Sequence, residues 1–340
     1  MRYLFCVIIY TSLSLTLFAG NEGSPVGGRR LGMGGAFSAI RGDMWSLWAN
    51  PAGLTGIQRF EGGLFTESRF MIQEMSSAAF GGVIPFQQKH YAGISASTFG
   101  FGTYRENLAS ATYATTLYER IHFGVKFNLL NLAITNYGSV MAFYANAGMM
   151  ADVSKKVTIG LWTQNINQAS IGSFQEEKIP IIVNGGIAYK PSDKILITAD
   201  AVKYIDYPLG VRGGFEYFFI PKFCVRAGYS TQPVSSHFGA GFRLDNINID
   251  FANTLHDRLG YSPHLSITLR LGKNKSESSE PSSENPPVPK SQNDKTIVKS
   301  DKTVKPAVSV TATKKDIKAL SKPGNNNTEP KNDTPSAKPQ

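Results

Sequence analysis

Cysteine is nearly absent: 340 residues carry two, Cys6 and Cys224, so no disulfide framework holds this chain together. Long apolar runs are missing too. Beyond the first twenty residues nothing is apolar over a length that could cross a bilayer as a helix. The histidines are few and scattered (His90, His122, His237, His256, His264), with no spacing that marks a metal site. Gly93-Ile-Ser-Ala-Ser97 lacks the second glycine of a nucleophile elbow. The run from Gly27 to Gly35 holds five glycines. It has neither the preceding strand nor the long following helix of a nucleotide cradle. These absences point away from enzymes, metalloproteins and nucleotide binders, and no cofactor is expected.

What is present begins with a leader. Met1-Arg2, an apolar run from Tyr3 to Phe18 and the small pair Ala19-Gly20 have the anatomy of a secretory signal peptide over residues 1–20. The run is broken by Thr11, Ser12, Ser14 and Thr16, which disfavours a membrane anchor, and no cysteine follows it as a lipoprotein would require. Cleavage there removes Cys6 and leaves Cys224 as a small buried or wall residue.

From residue 60 to 272 the chain alternates. Ile121, Phe123, Val125, Phe127 and Leu129 are interleaved with His122, Gly124, Lys126 and Asn128. The same period of two runs through Phe223 to Ser230 and His264 to Leu271, placing an apolar set on one strand face and a polar, glycine-rich set on the other. Such segments lie near 60–70, 76–86, 90–100, 107–118, 120–133, 140–152, 156–167, 180–190, 193–204, 208–218, 222–231, 235–243, 246–254 and 263–272. They predict an all-β, antiparallel transmembrane barrel of about 14 strands. The connections after even segments are tight and polar, as at Gln87-Gln88-Lys89 and Leu244-Asp245-Asn246. Those at Phe101 to Glu106, Asn167 to Ile179 and Asn253 to Ser262 are longer. Short periplasmic turns against longer outside loops put both barrel ends in the periplasm of a Gram-negative cell. On the polar faces of the late strands, Asp200, Arg212, Glu216, Arg226, Arg243, Asp250 and Arg270 are of mixed sign and form a candidate charge network pairing across the lumen.

Residues 21–59 are of another kind. The glycines and alanines of Gly27 to Ile40 leave little side-chain volume, which suits a backbone pressed against other structure. Asp43 is placed to cap a short helix containing Trp45 and Trp48, and Asn50 followed by Pro51 has the chemistry of a second cap with proline at the first helical position. Arg30-Leu-Gly-Met-Gly-Gly-Ala-Phe-Ser-Ala39 with Asn50-Pro-Ala-Gly-Leu54 resembles the N-terminal signature of the PorV/PorQ family of outer-membrane proteins, relatives of the FadL-type long-chain fatty-acid transporters. The resemblance implies a fourteen-stranded barrel whose N-terminal segment sits in the lumen as a hatch. Gly32, Gly34, Gly35, Asn50, Pro51 and Gly53 are then the residues that seat it. It also implies two functions. On the PorV/PorQ side, the protein serves type IX protein secretion and cargo attachment at the cell surface, with secretion components or cargo C-terminal domains as partners. On the FadL side, it transports hydrophobic small molecules, the hatch binding the ligand and a lateral opening releasing it.

Residues 273–340 contain no Phe, Tyr or Trp and carry thirteen lysines against eight acids. That is the composition of a disordered periplasmic tail, unable to bury a core. It is either a solubilising linker or an electrostatic tether to peptidoglycan or an acidic periplasmic protein. Outer-membrane lipid is the expected surrounding of the barrel, and nucleic acid is not an expected partner of an exported chain.

Overall fold

The computed structural model describes residues 25–171, 179–205 and 207–272. The leader and the tail, with the roles expected of them, lie outside the described residues. Within them no helix is long and apolar enough to cross a membrane.

Fourteen antiparallel strands close into one barrel, each paired with its sequence neighbours and the first with the last. They are β1 (Phe60–Ser68), β2 (Ser76–Phe86), β3 (His90–Phe99), β4 (Tyr104–Leu117), β5 (Ile121–Ile134), β6 (Gly138–Asp152) and β7 (Val157–Gln164). The second half follows as β8 (Ile182–Ser192), β9 (Ile195–Tyr204), β10 (Gly210–Ile220), β11 (Phe223–Thr231), β12 (Val234–Arg243), β13 (Ile247–His256) and β14 (Gly260–Leu271). Closure gives every strand a partner on both sides, as a wall surrounded by hydrocarbon demands.

The alternation decides which face is which. On β5, Val125 and Phe127 are 38% and 49% exposed, whereas His122 and Asn128 are fully buried. The apolar face therefore points outward and the polar face into the lumen, the reverse of a soluble barrel. At the end where even strands turn into odd ones, Phe219, Phe223 and Phe242 form a run of outward rings with centroids 6.3 and 5.0 Å apart. This matches part of the aromatic girdle expected at a lipid interface. We call this the turn end and the opposite mouth the loop end.

Two loops are shorter than their sequence suggests. The stretch Asn253 to Ser262 is mostly strand: β13 runs to His256 and β14 starts at Gly260, leaving a three-residue connection. Likewise β4 begins at Tyr104, inside the expected loop Phe101 to Glu106. The polar residues that signalled loop at Asn253 to Ser262 include Thr254 and Ser262, which face inward and are buried. The length asymmetry between the two ends is carried by residues 69–75 and by the β7–β8 connection. There β6 outreaches β7, their pairing stopping at Ala147↔Thr163. Beyond it Asn167 replaces a strand, its side chain accepting from Ala145 N and donating to Phe143 O at 2.9 and 3.2 Å.

The core is inside the lumen. Leu31, Met33, Phe37, Met44, Trp45, Leu47 and Leu54 of the N-terminal segment are buried in one apolar cluster with Phe65, Val83, Tyr91 and Ala114 of the wall. The segment holds a five-residue helix α1 (Gly28–Gly32) and two short 3-10 helices, Met44–Trp48 and Pro51–Leu54.

Candidate functional site

The caps expected of Asp43 and Asn50 form as the sequence suggests. Asp43 Oδ1 accepts from Trp45 N at 2.8 Å, and Asn50 Oδ1 accepts from Ala52 N at 3.0 Å with Pro51 at the first helical position. Asn50 also reaches outward, its Nδ2 donating to Ser38 O and Met149 O at 2.8 and 3.1 Å. It thus joins two parts of the segment to β6.

The wall meets this segment with glycine. A Cβ on Gly148 of β6 would overlap the Asn50 side chain, one on Gly124 of β5 would strike the Pro51 backbone, and one on Gly160 of β7 the Ser38 carbonyl. On the segment's side, Gly34 has φ +67°, and a Cβ there would lie 2.8 Å from Gly213 O and Tyr229 N. Gly32 approaches Gly239 of β12, Gly35 approaches Arg212, and Gly53 is packed against Ser46 and Ile40 within the segment itself. Five of the six predicted seating residues (Gly32, Gly34, Asn50, Pro51 and, more loosely, Gly35) therefore touch the wall, and Gly53 serves an internal contact instead.

On the opposite side the contact is ionic. Arg29 Nε and Nη2 donate to Glu216 Oε2 and Oε1 at 2.9 and 2.7 Å, and Nη1 to Asp43 at 2.9 Å. Burial opposes the Arg29 charge, but Glu216 and then Asp43 more than offset it, holding the guanidinium above its ordinary range. Glu216 also binds Arg226 Nε at 2.7 Å, and Arg226 Nη1 lies 2.8 Å from Asp250. The predicted charge network is thus partly assembled, but its geometry differs from the expected pairing across the lumen. The N-terminal segment occupies the middle of the lumen, so these charges pair along the wall, between strands that are adjacent or one strand apart, and with Arg29. Arg243 reaches Glu216 only at 3.7 Å, and Arg270 pairs instead with Glu61 at 3.0 Å. Asp200 stands apart, its Oδ2 accepting from Phe37 N, Ser38 N and Ser38 Oγ at 2.7–2.9 Å. Arg212 makes no ion pair among the described residues.

Above the segment, toward the loop end, lies a cavity of about 660 Å³. Leu31, Gly34, Gly35 and Trp48 form its floor; Phe70, Phe99 and Ile182 are among its apolar walls. Three guanidiniums border it, Arg30, Arg69 and Arg212, of which Arg69 lies 3.2 Å from the lining carboxylate Glu67. Arg30 is buried at 6% exposure, donates to Trp48 O at 2.8 Å, and leaves its Nε without a partner. Burial, and after it the neighbouring Arg212, pull its ionisation down to about 10. One wall is a polar row that sequence spacing did not reveal. Ser235 Oγ meets His237 Nε2 at 2.9 Å, and Thr254 Oγ1 bridges His237 Nδ1 and His264 Nε2 at 3.0 and 2.9 Å. The register of three consecutive strands gathers these histidines, which sit on β12 and β14 either side of Thr254 on β13. Among the described residues no three His, Cys, Asp or Glu side chains come together as a metal site.

No family model matches the chain, and no curated protein matches it in sequence. Solved structures do match in fold. A Pseudomonas aeruginosa FadL homologue superposes with a TM-score of 0.56 at 11% identity, over 73% of this chain and 99% of that one. The CymD monoaromatic hydrocarbon channel gives 0.54 at 14% identity, over 73% and 98%. The Pseudomonas putida toluene transporter TodX gives 0.52 at 13%, over 71% and 96%. At these identities the likeness establishes the barrel fold.

Proposed function

We propose that this protein is an outer-membrane barrel of FadL-like function, admitting hydrophobic small molecules from the loop end onto a luminal N-terminal hatch. The observation that carries this reading is the cavity of about 660 Å³ over the N-terminal segment, with Trp48 and Phe70 on its surface. Its size is that of a small-molecule site. The fold neighbours named as a toluene transporter and a monoaromatic hydrocarbon channel agree with it. Arg30 and Arg212 give the cavity a cationic spot suited to a polar or anionic end on an otherwise apolar ligand. A lateral exit, which the FadL likeness implies, would lie where β6 outreaches β7 and Asn167 substitutes for a strand. The type IX secretion role rests on the short sequence resemblance alone.

The test is ligand binding followed by uptake. Tryptophan emission should be quenched saturably by toluene or by a medium-chain carboxylate, with the double variant Trp48→Phe/Trp162→Phe, which removes both cavity-lining tryptophans, as the blank. Arg30→Gln should weaken the carboxylate and spare toluene. Vesicles containing the protein should take up the ligand faster than empty ones. Absence of both saturable quenching and enhanced uptake would overturn the reading.

A further inference from the structure

Below the hatch, at the turn end, is a second cavity of about 350 Å³ that the transport reading does not use. Its lining carries Arg29, Arg41, Lys155, Lys156, Lys190 and Arg243 against two carboxylates, Glu216 and Asp193. Neither acid is available to neutralise the rest. Both Glu216 oxygens are taken by Arg29 and Arg226 at 2.7–2.9 Å, and Asp193 is fully exposed and bound to Lys190 at 2.9 Å. Arg243 is left at 3.7 Å from Glu216, lying over the Phe218 ring at 4.1 Å with donors to spare. Arg41 shares Asp152 with His122, at 2.9 and 3.2 Å. Lys155 and Lys156 have no ion pair among the described residues.

The surrounding rim has the same bias. The turn-end connections carry Lys89, Arg120, Lys155, Lys156, Lys194 and Lys222 against Glu119, Asp193 and Asp245. The described loop-end connections are balanced, Arg69 and Arg258 against Glu74 and Asp257. A cavity lined by one sign of charge between low-dielectric walls concentrates the opposite ion.

We propose that this turn-end cavity is a binding site for a phosphate-bearing anion, which would tie the hatch to the barrel wall. The cations come from both bodies, Arg29 and Arg41 from the N-terminal segment and Lys155, Lys156, Lys190 and Arg243 from the strands and turns. One multivalent oxyanion can therefore accept from both at once. A free phosphate compound and the headgroup of an anionic phospholipid offer the same chemistry.

The experiment titrates the full-length barrel in zwitterionic detergent at low salt with inorganic pyrophosphate, followed by ³¹P line broadening. Amide exchange across residues 38–57 is measured in parallel. Saturable broadening and slowed exchange are expected. Lys155→Gln/Lys156→Gln should weaken binding by about fivefold, the summed effect of two exposed charge contacts. Lys89→Gln/Lys222→Gln, which removes the same charge from turns outside the cavity, should bind as wild type. In a second arm, native mass spectrometry compares retention of phosphatidylglycerol with phosphatidylcholine. Retention of phosphatidylglycerol lost only in the Lys155/Lys156 variant identifies a headgroup site; pyrophosphate binding without it identifies a soluble anion. Equal losses in both double variants would reduce the effect to a diffuse field and overturn the proposal, as would absence of saturable binding in both arms.

Discussion

The N-terminal segment is held on two sides of the barrel by different physics. Toward β5, β6 and β7 it is held by closeness: Gly124, Gly148 and Gly160 remove side chains so that Pro51, Asn50 and Ser38 can lie against the wall. Toward β10, β11 and β13 it is held by charge, through Arg29, Glu216, Arg226 and Asp250 in one buried chain. The first contact tolerates nothing larger than hydrogen; the second tolerates no unpaired member. Sequence reveals them unequally, because a charge on a polar strand face announces itself whereas a glycine in a barrel wall has several possible reasons to be there.

The ionic side should break most severely. Glu216→Gln removes the partner of two buried guanidiniums and should destabilise the folded barrel by about 3–5 kcal/mol, measured as a lowered midpoint of urea unfolding in lipid vesicles. A loss within experimental error would mean that water already screens this chain.

The outer wall provides the next contrast. Phe127→Arg should cost roughly 2–4 kcal/mol if its exposed ring faces the bilayer midplane, while Gln164→Arg, pointing into the loop-end cavity, should cost much less. Asn128, though it faces the lumen, is a poor control: it is fully buried and donates to Tyr144 O at 3.2 Å. Similar losses for Phe127 and Gln164 would show that the assigned faces are wrong.

The packed side should respond more mildly. Gly148→Val forces a side chain into the Asn50 contact and should cost about 1–3 kcal/mol, with faster amide exchange in residues 44–57 while the strands stay protected. Asn50→Ala should lose about 1 kcal/mol as a cap, and its exchange effect should be largest at Ala52, whose N–H it accepts. Equal exchange changes throughout the barrel would contradict a locally seated segment.

Much of this architecture is legible in the sequence because a strand's period of two runs unbroken along most of each strand, the register shifting only near the turns at Phe218/Ile220 and Tyr189/Ser192. All fourteen segments are where the alternation put them, mostly within a few residues. The caps at Asp43 and Asn50 were legible for a similar reason, since their chemistry is local to two or three residues. The stretch Asn253 to Ser262 reads as loop because of polar residues such as Thr254 and His256, which line the cavity from within strand β13. Arg29 meets Glu216, 187 residues away, because the N-terminal segment packs inside the lumen, and the row Ser235, His237, Thr254 and His264 is set by the register of three consecutive strands. No spacing rule along one chain encodes them.

The central claim is that residues 25–57 occupy the lumen and close it beneath the loop-end cavity. Single-channel conductance in planar bilayers tests this most directly. Wild type should conduct far less than an open porin, and Gly34→Val or Gly148→Val should raise the conductance while assembly remains normal. A wild-type protein that already conducts as an open pore, unchanged by either substitution, would contradict it.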